Sequence, residues 1–321
     1  MAQRARRSAK HPGPQLGRVL VLADGDKDAV EQLLGELEPW LAEHAVSVQV
    51  ERDLHAYDDA GAGARRRRTK PDLVLVLGGD GAILAAVRAF QDAPVPTLGI
   101  NFGRVGFLAS VEAGQWREAL LELERGRAVV ERRMRLDVEL HGERTVRAVA
   151  LNDAVVTRGA FQGMLQLALK VGRDWVTNYR ADGLVVATPS GSTAYSMAAG
   201  GPVLAPTMQA FCVSPVSPQA LSHRPLVVDG RDTLELHVTR ASGLTTLVVD
   251  GQGFYPMHEG DFVRVRQHPV PYPLLSRPGF DPYTRLRERL GWRGSIEPDV
   301  FPEEQRAPRR REVDPGHGGV L

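Results

Sequence analysis

Gly78-Gly79-Asp80-Gly81 directly follows the uninterrupted aliphatic run Leu73 to Leu77, and Ile83, Leu84, Val87 and Phe90 then recur at helical spacing. At the carboxyl end of a buried strand, such glycines let backbone N–H groups come close to a diphosphate, and the start of a helix favours negative charge. A carboxylate in that turn repels phosphate unless it has another task. It can take a proton from an attacking hydroxyl, or hold a divalent cation between phosphate oxygens. The four residues alone read equally as a tight turn in which Asp80 is a helix N-cap. No Gly-Lys-Ser/Thr occurs, so there is no P-loop. Gly61-Ala62-Gly63-Ala64-Arg65-Arg66 lacks the third glycine of a dinucleotide fingerprint and follows no strand, so a hydride-transfer reading loses its main support. With four lysines in the chain (Lys10, Lys27, Lys70, Lys170), charged phosphate contacts fall mostly to arginine.

A second group of polar residues lies beside apolar runs further on. Asn152-Asp153 follows Val149 to Leu151, and Arg180-Ala181-Asp182-Gly183 precedes Leu184 to Thr188. An amide side chain donates to and accepts from an adenine edge, and carboxylates accept from ribose hydroxyls, so Asn152, Asp153 and Asp182 suit one shared nucleoside site. Each on its own also reads as a turn or cap residue. The run from Thr188 to Pro202 contains Thr193, Ala194, Tyr195, Ser196, Met197 and Ala198 and is less ordinary. Its small and hydroxylated residues supply donors where a ligand must come close, with Tyr195 as a stacking surface.

The elements that must position these residues fall into two groups. Val19 to Leu22, Val46/Val48/Val50, Leu73 to Leu77 and Val95 to Ile100 read as strands. They alternate with helices on Leu33, Leu34, Leu37, Trp40 and Leu41, on Ile83 to Phe90, and on Trp116 to Leu123. Alternating β and α implies a mostly parallel sheet, a Rossmann-like α/β domain expected over 16–127. After about residue 128 the period becomes two: Met134, Leu136, Val138 and Leu140 alternate with Arg133, Arg135, Asp137 and Glu139, as in half-buried antiparallel strands. Further strands are expected at 149–156, 165–171, 184–188, 225–228, 233–238, 246–249 and 262–265, giving a β-rich unit over 128–276. A helical segment at 283–290 lies within 277–293, expected to return to the first domain. The Arg- and Pro-rich ends, 1–15 and 294–321, read as mobile tails, and Arg65 to Arg68 as a solvated loop.

Composition narrows the function. The chain has 321 residues, 43% of them hydrophobic, enough for two domains. Forty basic residues against 39 acidic ones create no overall field toward nucleic acid or anionic membrane, so small molecules are the expected partners. One cysteine, Cys212, excludes an intramolecular disulfide and Cys-rich zinc sites and sits in an apolar stretch that reads as core. No apolar run is long enough to span a membrane and none follows the basic start, so a cytoplasmic setting is expected.

The chain resembles the NAD kinase family. The resemblance rests on Gly78 to Gly81, Asn152-Asp153, Arg180 to Gly183 and Thr188 to Pro202 in the family's order and spacing. Gly99-Ile100-Asn101 with Gly106-Phe107-Leu108, Ser222 to Leu226 and Asp250-Gly251-Gln252 extend it over roughly 18–292. The resemblance implies an N-terminal α/β domain, a C-terminal β-sandwich domain, a site between them, and a homodimer or homotetramer. It also implies phosphoryl transfer from ATP, another nucleotide or polyphosphate to the 2′-hydroxyl of NAD. Asp80 then resembles the family's proton acceptor, with Gly81 beside it at the diphosphate. Asn152 and Asp153 are implied as nucleoside contacts, and Asp182 with Thr193 to Ala198 as the adenine and ribose lining. Arg180 is implied near phosphate across a subunit interface, and Gln252 as a further contact. Mg²⁺ is expected on the donor's phosphates, with its protein ligands undetermined. Ala82, Asp153 and Ala198 depart from the family's common Thr or Asn, Glu, and Ser. A lipid kinase shares the GGDG turn but is not expected to combine it with Asn152-Asp153 and Thr188 to Pro202; a non-catalytic dinucleotide sensor has no use for Asp80.

Overall fold

A computed structural model describes residues 16–24, 28–53, 70–103, 106–159, 163–241 and 243–292. The expected tails and the Arg65 to Arg68 loop lie outside the described residues. The first sheet has the order β2-β1-β3-β4-β19-β6, with the short β5 (Val111–Glu112) also on β4. Its strands β1 (Leu16–Ala23), β2 (Ala45–Glu51), β3 (Leu73–Leu77) and β4 (Thr97–Asn101) are parallel, as the alternation with α1 (Asp28–His44) and α2 (Asp80–Ala89) requires. Both faces are covered. Val19, Val21, Leu75 and Leu77 pack under α1 and α3 (Trp116–Glu124), while Leu20, Leu22, Val74 and Val76 pack against Ile83, Leu84 and Val87 of α2. This double burial is why β3 is aliphatic at every position rather than at alternate ones.

Two strands of that sheet come from the span expected to be β-rich. β6 (Val129–Arg133) pairs antiparallel with β19 (Tyr272–Ser276), which pairs parallel with β4. Between them the chain builds a sandwich of two six-stranded sheets. One has the order β11 (Asp174–Ala181), β10 (Leu165–Val171), β15 (Leu234–Arg240), β18 (Phe262–Gln267), β7 (Leu136–His141), β8 (Thr145–Ala150). The other has the order β14 (Leu226–Asp229), β13 (Ala210–Val216), β12 (Gly183–Ala187), β9 (Asp153–Arg158), β16 (Thr245–Val249), β17 (Gly253–Met257). Their facing side chains, among them Leu136, Val138, Leu167, Val186, Phe211, Leu236 and Val263, form one continuous core. A mixed, largely parallel sheet plus a separate antiparallel sandwich is the fold class expected from the sequence.

Two local expectations fail for physical reasons. Arg133 and Arg135 were placed on a solvated face, yet both are buried. They lie where the chain crosses from the first sheet into β7 (Leu136–His141), and there neither face meets water. Arg135 donates instead to the carbonyls of Val270 and Gln91. The strand expected over 149–156 is broken into β8 (Thr145–Ala150) and β9 (Asp153–Arg158), leaving Leu151 and Asn152 between them. Among the described residues, no helix is long and apolar enough to cross a membrane.

Candidate active site

Asp80 opens α2. Gly79, extended at φ −89°, is the residue before the helix, and no side chain caps that end. The N-cap reading of Asp80 is therefore overturned. Its carboxylate turns away from the helix and accepts three consecutive backbone N–H groups: Phe107 N at 2.7 Å on Oδ2, and Leu108 N at 3.0 Å and Ala109 N at 3.3 Å on Oδ1. Charge-assisted bonds of this kind are about twice as strong as neutral ones. An ionised carboxylate offers about four acceptor directions, so roughly one remains open, on Oδ2. Gly106 makes the approach possible, because a Cβ there would stand 1.9 Å from Oδ1.

The turn's glycines divide by what requires them. A Cβ on Gly78 would lie 2.7 Å from that of Ala82, so the fold itself needs that glycine. Around Gly79 and Gly81 there is nothing within 4 Å of a Cβ, and neither has a positive φ. Nothing in the fold accounts for glycine there, whereas a ligand approaching the backbone at the helix start would.

The Asn152-Asp153 segment is held by a matching device. Asp250, in the turn between β16 (Thr245–Val249) and β17 (Gly253–Met257), accepts Leu151 N at 2.8 Å, Asn152 N at 2.7 Å and Asp153 N at 3.1 Å. It adopts the left-handed region, φ 48°, and its own N–H returns to the Asp153 carbonyl. These bonds break the expected long strand. Burial raises the Asp250 pKa, and its three amide donors oppose that shift. Asp153 is pushed up to about 7, first by burial and then by Asp250. The Oδ1 atom of Asn152 is buried with no hydrogen-bond partner among the described residues.

Beside this segment lies the turn after β12 (Gly183–Ala187). Thr188 N donates to the Asn152 carbonyl and Thr188 Oγ1 to that of Leu151. A Cβ on Gly191 would be 2.0 Å from the Asn152 oxygen, so the two backbones are in contact. Ser190 and Thr193 then line a small cleft with Phe107 and Leu108 of the Asp80-binding loop, Arg133 of β6 and Arg285 of α5 (Pro282–Leu290). One cleft thus joins Asp80's loop to the Thr188 to Thr193 turn. Gln252 is exposed on the turn that carries Asp250. Ala194 and Met197 are half-buried, and Tyr195 and Ala198 exposed, on and beside the four-residue helix α4 (Tyr195–Ala198).

Three expected members do not join. Asp182 precedes β12, whose antiparallel register sets Gly183 opposite Thr157 and Ala187 opposite Asp153. Five strand residues separate Asp182 from Asp153, roughly 15 Å, and its carboxylate pairs with Arg158 at 2.6 Å. The expectation of one shared site therefore fails within a single chain, and Arg180, exposed on β11 (Asp174–Ala181), stays with Asp182. The Ser196 side chain points inward to Ser214 Oγ at 2.9 Å and the Cys212 sulfur, so it lines the core rather than a site. Among the described residues, no three His, Cys, Asp or Glu side chains converge to hold a metal ion. Sequence reasoning missed the amides of 107–109, Asp250 as an organiser, and Arg133 and Arg285. Gly106, next to the Phe107-Leu108 pair noted in the resemblance but given no role there, was the available signal for the first of these.

Residues 19–128 match the ATP-NAD kinase N-terminal domain and residues 151–276 the ATP-NAD kinase C-terminal domain. The chain belongs to the ATP-NAD kinase family. It is 38% identical to the NAD kinase of Rhodopirellula baltica over 281 residues, 87% of this chain and 88% of that one. It is 38% identical to the NAD kinase of Acidobacterium capsulatum over 282 residues, 86% and 98% of the two chains. Among solved structures, an Archaeoglobus fulgidus NAD kinase in complex with ATP superposes with TM-score 0.66 at 26% identity, covering 85% of this chain and 97% of that one. Yeast NADH kinase complexed with NADH superposes with TM-score 0.72 over 88% and 89%; at 22% identity that likeness concerns the fold. The two ATP-NAD kinase domain matches leave out β6, β7, β8 and α5.

Proposed function

We infer that this enzyme phosphorylates NAD, transferring the γ-phosphoryl group of ATP to the 2′-hydroxyl of the adenosine ribose to give NADP. The observation that carries the mechanism is the Asp80 carboxylate, fixed by three amides at the start of α2 with one acceptor direction open beside two glycines the fold does not need. Asp80 accepts the hydrogen bond of the 2′-hydroxyl. As the oxygen forms its bond to the γ-phosphorus, the bond to the bridging oxygen of the leaving diphosphate breaks, and the proton passes to Asp80. The backbone at Gly79 and Gly81 receives the phosphates. Positioning of the two reactants supplies much of the rate.

Asn152 Oδ1, buried and without a partner among the described residues, is the acceptor for the adenine amino group. Asp153, whose raised pKa keeps it partly protonated near neutrality, faces a ribose hydroxyl. The backbone of Thr193 to Ala198, the Tyr195 ring and Gln252 complete the lining. Mg²⁺ would enter with the donor and supply positive charge against its phosphates; among the described residues no three His, Cys, Asp or Glu side chains converge to hold it. Asp182 and Arg180 act at the site of a second copy, because the strand register takes them away from their own chain's Asn152. The active form is then a homo-oligomer, working in the cytoplasm.

Incubation with NAD, ATP and Mg²⁺, read out by an NADP-specific dehydrogenase, tests the activity; parallel runs with polyphosphate and with NADH define donor and acceptor. Asp80→Asn should keep NAD binding by calorimetry and lose most turnover. Near-normal turnover in that variant would sink the mechanism.

A further inference from the structure

We propose that Arg285, on the C-terminal helix α5, is a positioning residue that sets the aim of Asp80 through the Phe107–Leu108 peptide. The inference rests on the reading of Asp80 as the base.

Arg285 is 6% exposed, and its guanidinium lies over the Phe280 ring at 4.3 Å. A cation this deep needs compensation. Burial pulls its pKa down to about 10, and the Asp80 charge is the first influence that pushes it back up, followed by Glu131; Arg133 opposes them. Arg285 is therefore charged at neutral pH and electrostatically tied to Asp80. The tie has a covalent route. Arg285 Nη1 donates to the Phe107 carbonyl at 3.0 Å, and that carbonyl belongs to the same peptide unit as Leu108 N–H, which donates to Asp80 Oδ1 at 3.0 Å. A cation on the oxygen of a peptide polarises its N–H and strengthens that donor. The preceding peptide supplies Phe107 N–H to Oδ2 at 2.7 Å, so fixing Phe107 fixes both carboxylate oxygens.

The helix that carries Arg285 is built to stay in place. Asp281 caps it by accepting Tyr283 N and Thr284 N, and Gly291 closes it at φ 66°. Leu286 is buried. One turn beyond Arg285, the Arg289 guanidinium stands 5.6 Å from the centre of the Phe107 ring. Phe107 is thus gripped by its carbonyl and by its ring from one face of α5. Neither matched domain includes this helix.

Arg285→Met keeps most of the apolar volume and removes the charge and the donors; Arg285→Lys restores the charge with one compact donor group. Amide hydrogen exchange at Phe107, Leu108 and Ala109, read against amides of Val74 to Leu77, is measured together with kcat and the KM values. In Arg285→Met, exchange at the three loop amides should rise about tenfold while β3 is unchanged. Its kcat should fall roughly 10- to 100-fold with both KM values within about twofold, and Arg285→Lys should recover part of both losses. Unchanged loop exchange, a uniform loss of protection across the chain, or a KM effect with normal kcat would each overturn the proposal. If Arg285→Met does not fold, Arg285→Lys and Arg285→Gln carry the same comparison. Should Asp80→Asn keep its turnover, the base reading fails alone, since loop exchange reports the Arg285 link without reference to catalysis.

Discussion

Asp80 has exchanged water for three backbone donors, and Gly106 provides the space in which that exchange happens. Gly106→Ala should displace the Asp80 carboxylate while leaving its chemistry, and every other group that meets substrate, unchanged. A fall in kcat of about 100-fold with NAD affinity retained is expected from initial-rate kinetics. Gly81→Ala makes the opposite case. Its Cβ meets nothing and alanine suits a helix better by about 0.5–1 kcal/mol, so the melting temperature should hold or rise while the KM for ATP increases; an unchanged KM would remove Gly81 from the phosphates. Asp153 makes stability depend on pH. Its folded pKa, about 7, lies above the unfolded carboxylate value near 3.8. Between those values the unfolded chain ionises while the folded one keeps its proton, so stability falls as pH rises through that window and levels off above it. Asp250 contributes with the same sign. Urea denaturation at pH 5 and pH 8 should therefore show a smaller loss in Asp153→Asn than in the parent chain, with the variant gaining on the order of 2 kcal/mol at pH 8. Equal losses would mean that Asp153 bears no burial penalty.

Among the elements, the contact that joins the two halves of the nucleoside region is backbone on backbone. A Cβ at Gly191 cannot be absorbed by a rotamer change, since it meets the Asn152 carbonyl itself. Gly191→Ala should lose about 2–3 kcal/mol in urea denaturation and release NAD; wild-type stability would show that the two turns do not press together. Sequence patterning reached these elements unevenly. β3 and its glycine turn were legible because burial on both faces writes every position of the strand as aliphatic. The break at Leu151 and Asn152 was not, because the apolar run continues through it and the carboxylate that imposes the break lies about 100 positions away in another hairpin. Arg133 and Arg135 misled for a related reason. Period-two alternation specifies two faces of a strand and says nothing of whether the second face meets solvent or another layer.

For the whole molecule, two layers of different construction were legible from the change of period, and their interweaving was not. A parallel strand such as β19, arriving after a complete sandwich, leaves no local signature of the sheet it will enter. The placement of Asp182 is likewise a matter of register, which a list of polar clusters does not contain. If Asp182 serves a neighbour, mixing Asp80→Asn chains with Asp182→Asn chains under conditions of subunit exchange should regenerate some fully equipped sites and with them part of the NADP-forming activity. No recovery would return Asp182 to its own chain.

The pairing of β6 with β19 also fixes an order of events in time. Among the described residues β6 pairs with no strand but β19, and residues 129–133 leave the ribosome about 140 residues before 272–276 do. At 5–20 residues per second that is an interval of roughly 7 to 30 s. Throughout it β6 has no native partner, and the sheet bearing Asp80 stays unfinished while the sandwich is being made. The nascent chain is most exposed to wrong edge-to-edge pairing in that interval, and α5, with its grip on Phe107, emerges only after β19.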